Sequence, residues 1–333
     1  MSEPRAGRMA AGEDARRLLR IGPCRVSCAG PADAIARALG PLAALEGAGA
    51  PTAAPPALVA LRVRWDDATT SAGTAAGTLS SETRYVASGP ASTIVARGRG
   101  EAMLSPDGAL DARLPTDAPE GDAVAESVTI PALAERLRRD GVRLVHGAVL
   151  LAPDRRTALL VPAARGGGKT TLSLSLRRHG WTMLSDDRAW LGGDPAAAWV
   201  DAWPEAPRVG DRSLFLVPPG LAAGPRDART GKAPVPGLTP PRLPDPVPLG
   251  VVALPRLVPG RGGEVRRIRG AAALAPVLSQ CVVATDPATA AATMRFVADL
   301  LGRLPLHEVD VGDDPAALAS ASDALASSAR QRS

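Results

Sequence analysis

Residues 142–191 read VRLVHGAVLLAPDRRTALLVPAARGGGKTTLSLSLRRHGWTMLSDDRAWL, and the centre of this stretch decides the fold. The apolar run Thr157 to Val161 predicts a strand. Ala163-Ala164-Arg165-Gly166-Gly167-Gly168-Lys169-Thr170 follows it directly. Leu172, Leu174 and Leu176 then mark a segment of about three turns that stops at Gly180, with Arg177, Arg178 and His179 where a helix dipole favours cations. Strand, glycine loop and helix in this order are the local signature of a phosphate cradle.

Each part of that loop has a physical task if the ligand is a polyphosphate. Gly166, Gly167 and Gly168 let the backbone approach closely, and their N–H groups and the helix N-terminus concentrate positive potential on phosphate oxygens. Lys169 reaches the terminal phosphates as a point charge, the Thr170 hydroxyl suits a Mg²⁺ ion bridging them, and Thr171 completes the set. Ala163 stands where the usual pattern has its first glycine. Chance glycine clusters arise in Ala/Gly-rich chains, but composition answers much of that objection. Only Lys169 and Lys232 are lysines among the 39 basic residues, so a lysine kept at this loop position is hard to assign to drift. A compact ammonium and a guanidinium are not interchangeable in such a cradle.

Trp181 to Leu184 reads as a second short strand, ending in Ser185-Asp186-Asp187-Arg188. Paired carboxylates after a strand suit phosphoryl transfer, in which one helps to hold Mg²⁺ and another accepts the proton of an attacking hydroxyl. A solvated Asp-Asp turn or a helix cap is the plainer alternative.

Three signatures together resemble the HPr kinase/phosphorylase family and its HPr-kinase-related relatives, P-loop proteins similar in core to phosphoenolpyruvate carboxykinase. They are Val145-His146-Gly147, the loop ending Gly168-Lys169-Thr170, and Ser185-Asp186-Asp187-Arg188, which is similar to that family's Ala-Asp-Asp-Arg. The resemblance covers about residues 125–311 and is strongest over 142–191. It implies ATP binding at Gly166 to Thr170, Asp186 as the base acting on a serine hydroxyl, and Asp187 as the carboxylate on the metal side. It also implies that His146 lies near the phosphates, whereas a lone histidine at a strand end is more often structural. Relatives form hexamers, so the resemblance leaves a homo-oligomer open.

At 333 residues the chain is long enough for two domains, and 45% hydrophobic with 22% charged residues fits a folded protein. The net charge of +5 is spread along the sequence without aromatic interleaving, which argues against nucleic acid as a partner. Cys24, Cys28 and Cys281 form no metal or disulfide pattern and fit a reducing cytoplasm. No leader or membrane-spanning run is expected. Trp181, Trp190, Trp199 and Trp203 follow the loop helix closely and read as packing for its sheet.

The expected fold is α/β: a P-loop kinase core of the HPr kinase/phosphoenolpyruvate carboxykinase-like type over 125–333, with a smaller α+β module over 1–124. In the module, 1–12 reads as a lead-in, Asp14 to Arg20 as a short amphipathic piece, and Gly47 to Pro56 as a linker. Cys24 to Cys28, Leu58 to Trp65 and three short runs between Tyr85 and Leu104 read as strands, and Pro31 to Leu39 as a helix. In the second domain Arg143 to Leu151 is expected beside Thr157 to Val161, which puts His146 on the strand next to the glycine loop. Asp286-Pro287 and Asp314-Pro315 read as helix starts. Residues 218–248 contain ten prolines and read either as a disordered insertion or as a lid, with Arg226, Arg229 and Lys232 available to phosphates. Gly231-Lys232 resembles a Gly-Lys found at about this place in relatives.

The expected activity is therefore an ATP- and Mg²⁺-dependent kinase acting on a serine of a small protein or peptide, such as an HPr-like protein or a biosynthetic peptide. A non-catalytic ATP-binding regulator and a small-molecule kinase on the same core are the alternatives.

Overall fold

The computed structural model describes residues 14–46, 58–66, 75–78, 83–88, 91–96, 98–119, 122–228, 230–258, 260, 262–281, 287–312, 314 and 317–330. The lead-in, the 47–56 linker, Arg229, Asp286 and Pro315 lie outside these described residues. The architecture is mixed α/β. The chain divides into two compact units, Met1–Arg136 and Leu137–Ser333, so the division falls later than the expected boundary after residue 124.

The first unit contains β1 (Asp14–Ile21), β2 (Cys24–Pro31), α1 (Ala32–Leu39), β3 (Leu58–Trp65), β4 (Ala75–Thr78), β5 (Thr83–Ser88), β6 (Ala91–Ala96), β7 (Gly100–Leu104) and β8 (Leu110–Leu114). These strands form one sheet in the order β1-β2-β3-β8-β7-β6-β5-β4. The pairs β2–β3 and β3–β8 are parallel, while the others are antiparallel. Alternate residues face inward: Val26 and Cys28 on β2, and Val59, Leu61 and Val63 on β3, are buried on the side where α1 lies. Asp14 to Arg20, expected as an amphipathic piece, is instead strand β1. Gly22, at φ +56°, closes a tight return, and β2 then pairs with β1 along its whole length.

A π-helical turn, Ala125–Thr129, and α2 (Ile130–Arg139) lead into the second unit. There follow β9 (Arg143–Leu151), β10 (Ala158–Pro162), α3 (Lys169–Arg178), β11 (Thr182–Ser185), β12 (Arg188–Gly192), β13 (Trp199–Ala202), β14 (Arg208–Val209), α4 (Asp211–Leu214) and β15 (Ala233–Pro234). The remainder is β16 (Val247–Leu257), β17 (Val265–Arg267), α5 (Gly270–Leu278), α6 (Pro287–Arg303), β18 (Leu306–Val311) and α7 (Leu318–Arg330). Pairing runs β10-β9-β12-β13-β16 and returns to β10, closing a ring, and β16 continues to β18 and β17. As expected, β9 and β10 are antiparallel neighbours.

Helix α3 is buried on two sides, which explains its alternating LSLSL pattern. Leu172 and Leu176 join a core with Trp181, β9, β10 and α7, whereas Leu174 packs with Met183, Val209, Leu216, Val235 and Leu238. The second cluster draws on the proline-rich segment. Its described residues are anchored, because β15 pairs with β14 and Arg242 makes two bonds to Asp201 at 2.5 and 3.1 Å. Proline keeps most of this segment out of regular structure, apart from β15, a 3₁₀ turn at Pro236–Leu238 and the first residues of β16, but Val235 and Leu238 still supply apolar surface worth burying. Trp181, Trp190 and Trp203 are fully packed, the last two stacked with centroids 6.3 Å apart. Among the described residues no helix is long and apolar enough to cross a membrane, and the three cysteines are free and buried.

Candidate functional site

The loop after β10 turns sharply onto α3. Gly166 and Gly168 take φ values of +79° and +94°, which side chains disfavour, and a Cβ on Gly168 would meet Leu257 Cδ2 at 3.1 Å. Gly168 caps α3, so Lys169 and Thr170 begin the helix and its first N–H groups face outward from the loop.

A cleft of about 550 Å³ opens over this turn. Gly166, Gly168, Lys169, Thr170 and Thr171 line one side. The proline-rich segment brings Thr230, Gly231 and Lys232 to it, and the region around β14 and α4 brings Arg208, Gly210 and Ser213. Leu257 and Val311, at the carboxyl ends of parallel β16 and β18, contribute apolar wall. Both lysines of the chain thus meet in one cleft. Gly167 belongs to the turn without lining the cleft.

Lys169 is buried, and its ammonium donates to Ala163 O at 2.6 Å and to Ala164 O at 3.4 Å, and lies 2.8 Å from His146 Nε2. Asp187 Oδ1 lies 3.4 Å from His146 Nδ1 and 4.0 Å from Lys169 Nζ. Burial lowers the Lys169 pKa, opposed by the charges of Asp187 and Asp186. Burial pushes the half-exposed Asp187 up. The hydrogen bond from His146 and the charges of Lys169 and Arg188 outweigh it and leave the carboxyl below its ordinary range.

Asp186 sits differently. It is almost wholly buried, and its Oδ2 accepts from Thr170 Oγ1 and from Arg208 N, each at 3.2 Å. Its Oδ1 is buried with no partner among the described residues. Burial raises its pKa, against the pull of those two donors and the charge of Lys232.

Neither protein-family models nor curated protein sequences give a match to this chain.

The structure therefore brings His146, Lys169 and Asp187 together as one hydrogen-bonded group, and Thr170 and Asp186 as another. Thr171 Oγ1 lies 2.8 Å from Ser213 Oγ, tying α3 to α4. Arg188 is structural: it stacks over Trp203 at 4.5 Å and pairs with Glu205 at 2.6 Å. Arg208 and Ser213 were not foreseen, because residues 205–213 carry no pattern that singles them out.

Among the described residues no group of three or more His, Cys, Asp and Glu could hold a metal ion. A hard cation would draw on the Thr170 hydroxyl and Asp186, whose orphaned Oδ1 supplies an unused oxygen, with ligand phosphates completing its shell. This donor set fits Mg²⁺, which commonly takes one or two carboxylates and keeps water or phosphate oxygens elsewhere.

Proposed function

We propose that the chain is an ATP- and Mg²⁺-dependent phosphotransferase that moves a phosphoryl group to a hydroxyl, the serine of a small protein or peptide, in the manner of the HPr-kinase-like proteins it resembles. The observation that carries this reading is the convergence of both lysines on one cleft over a positive-φ glycine turn. A merely structural turn has no need of two buried or half-buried ammonium groups, and a triphosphate does.

In this reading Lys169 leaves the carbonyls of Ala163 and Ala164 for the terminal phosphates, and the α3 N–H groups hold their oxygens. Lys232 neutralises charge from the opposite wall. Mg²⁺ at Thr170 and Asp186 would supply further neutralisation. The geometry favours dividing the carboxylates in the reverse of the sequence-based sense: Asp186 on the metal side beside Thr170, and Asp187 as proton acceptor. Asp187 is the accessible one, and its lowered pKa keeps it ionised at neutral pH. His146 orients it. Catalysis is then mostly positioning and charge neutralisation.

The test is incubation of the purified protein with γ-labelled ATP and Mg²⁺ in a lysate of its own host, beside Lys169→Ala and Asp187→Asn. A labelled acceptor that is lost with both variants is the expected result. ATP binding that depends on Lys169 with no labelled acceptor would overturn the phosphotransferase reading in favour of a regulatory ATP-binding protein.

A further inference from the structure

Among the described residues nothing covers one face of the first unit's sheet at β1, β2 and β3, and that face is patterned. β2, β3 and β8 are three consecutive parallel strands, an arrangement normally covered on both sides. Here, among the described residues, α1 lies on one side only. On the other, Leu58 is 65% exposed and Leu18 48% exposed, and Ala60 is exposed between strands β2 and β8.

The register sorts this face into rows across the strands. Leu18 lies opposite Ser27, and Ser27 opposite Ala60, which makes a small apolar row. On one side of it Arg20 lies opposite Arg25. On the other, Arg16 and Arg62 both lie opposite Ala29, and the row ends at Asp111, opposite Arg62 and bonded to Arg64. Arg16, Arg25 and Arg62 have no ion-pair or hydrogen-bond partner among the described residues, whereas the neighbouring Arg64 is satisfied by Asp111 at 2.9 Å.

From this pattern we infer that the open face of β1, β2 and β3 docks an extended acidic segment of another protein, with carboxylates spaced two residues on either side of an apolar residue. Rows on one face of a strand recur every two residues, about 7 Å, and an extended segment has the same period. Its apolar residue therefore lies on the Leu18–Ala60 row while its carboxylates reach the arginine rows on both sides. Guanidinium forks pair with carboxylates in two-pronged fashion, and Arg16, Arg25 and Arg62 are the ones that present them on this face. Nucleic acid is the poorer occupant, because none of these rows holds an aromatic ring on which a base could stack. The inference is independent of the phosphotransfer reading.

The probe is a fluorescein-labelled peptide, Glu-Ser-Glu-Ser-Leu-Ser-Glu-Ser-Glu, titrated with the full chain and followed by anisotropy. Controls are the same peptide with Gln for every Glu, the same with Ser for Leu, and a single-stranded oligonucleotide of equal charge. Binding at least tenfold tighter than to either peptide control, weakened at least tenfold in Arg25→Ser/Arg62→Ser and in Leu18→Ser, is expected. Circular dichroism and melting of both variants should match the wild type. Absence of binding, equal binding by the variants, or tighter binding of the oligonucleotide would overturn the inference. So would a wild-type oligomer that falls to monomer in these variants by sedimentation, since the face would then be occupied by a second copy of the chain.

Discussion

Lys169 fixes the tautomer of His146. Its ammonium has only protons to offer, so the histidine Nε2 at 2.8 Å must be the bare nitrogen, and the proton sits on Nδ1, which faces Asp187 at 3.4 Å. The lysine, the ring and the carboxylate are therefore one polar chain whose orientation follows from the first member. In the proposed phosphate complex Lys169 would leave this chain, and Nε2 would be free to accept from another donor.

Replacing Lys169 should show this dependence. Lys169→Ala is expected to weaken ATP binding at least tenfold, about the worth of a charge-assisted hydrogen bond. Lys169→Arg should not rescue it, because a planar fork does not fit where acceptors stand at 2.6 and 2.8 Å around a single nitrogen. Calorimetric titration of both variants, with melting curves to confirm folding, decides the matter.

The two carboxylates should part company in their variants. Asp187→Asn is expected to lower turnover by about 10²- to 10⁴-fold with little change in ATP affinity, as loss of a proton acceptor does. Asp186→Asn is expected to raise the Mg²⁺ concentration needed for half-maximal activity. Kinetics against Mg²⁺ separates them, and a Mg²⁺ requirement shifted only by the Asp187 variant would reverse the assignment.

Asp186 also makes a pH-dependent contribution to stability. Because burial raises its folded pKa, the ionised form is disfavoured in the fold, and stability is lost as pH rises from the ordinary carboxylate range through the folded value. Asp186→Asn removes that loss while Asn can still accept from Thr170 and Arg208. Its melting temperature should exceed that of the wild type at neutral pH, by about 2–4 °C for each kcal/mol relieved. The difference should vanish below the ordinary carboxylate range and shrink when Mg²⁺ is added.

The proline-rich segment should melt locally when its anchor is cut. Leu238→Ala removes a buried side chain from the cluster around Leu174 and is expected to cost about 2–4 kcal/mol. Hydrogen exchange should rise first over 230–238, and ATP affinity should fall through the displacement of Lys232. An unchanged affinity with raised exchange would separate Lys232 from the ligand.

The parts of this architecture that the sequence makes legible are local ones. Gly166 to Thr170 announces its turn because glycine, lysine and threonine act within a few bonds of each other, and His146 follows because a short turn makes β9 the neighbour of β10. Lys232 could be noticed for its rarity, but its position could not be read: 218–248 has no periodicity, and its path depends on Val235 and Leu238 finding Leu174 across the chain. The parallel pairing of β8 with β3 is hidden for a similar reason, since five residues of LDARL look like any edge hairpin strand until a partner far away is known. The division of labour between Asp186 and Asp187 is beyond spacing altogether. Adjacent residues at a strand end point to opposite sides, and only packing says which side holds Thr170.

Because lysine occurs only at 169 and 232, every ε-amine of the chain borders the cleft. Enzymatic acetylation or conjugation to another polypeptide through lysine then has no neutral surface position to choose. The half-buried Lys232 is the more accessible of the two, so any such modification would compete directly with the occupant of the cleft. In the same way, a lysine-specific protease has two cleavage points, and both would be shielded by whatever fills the space between them.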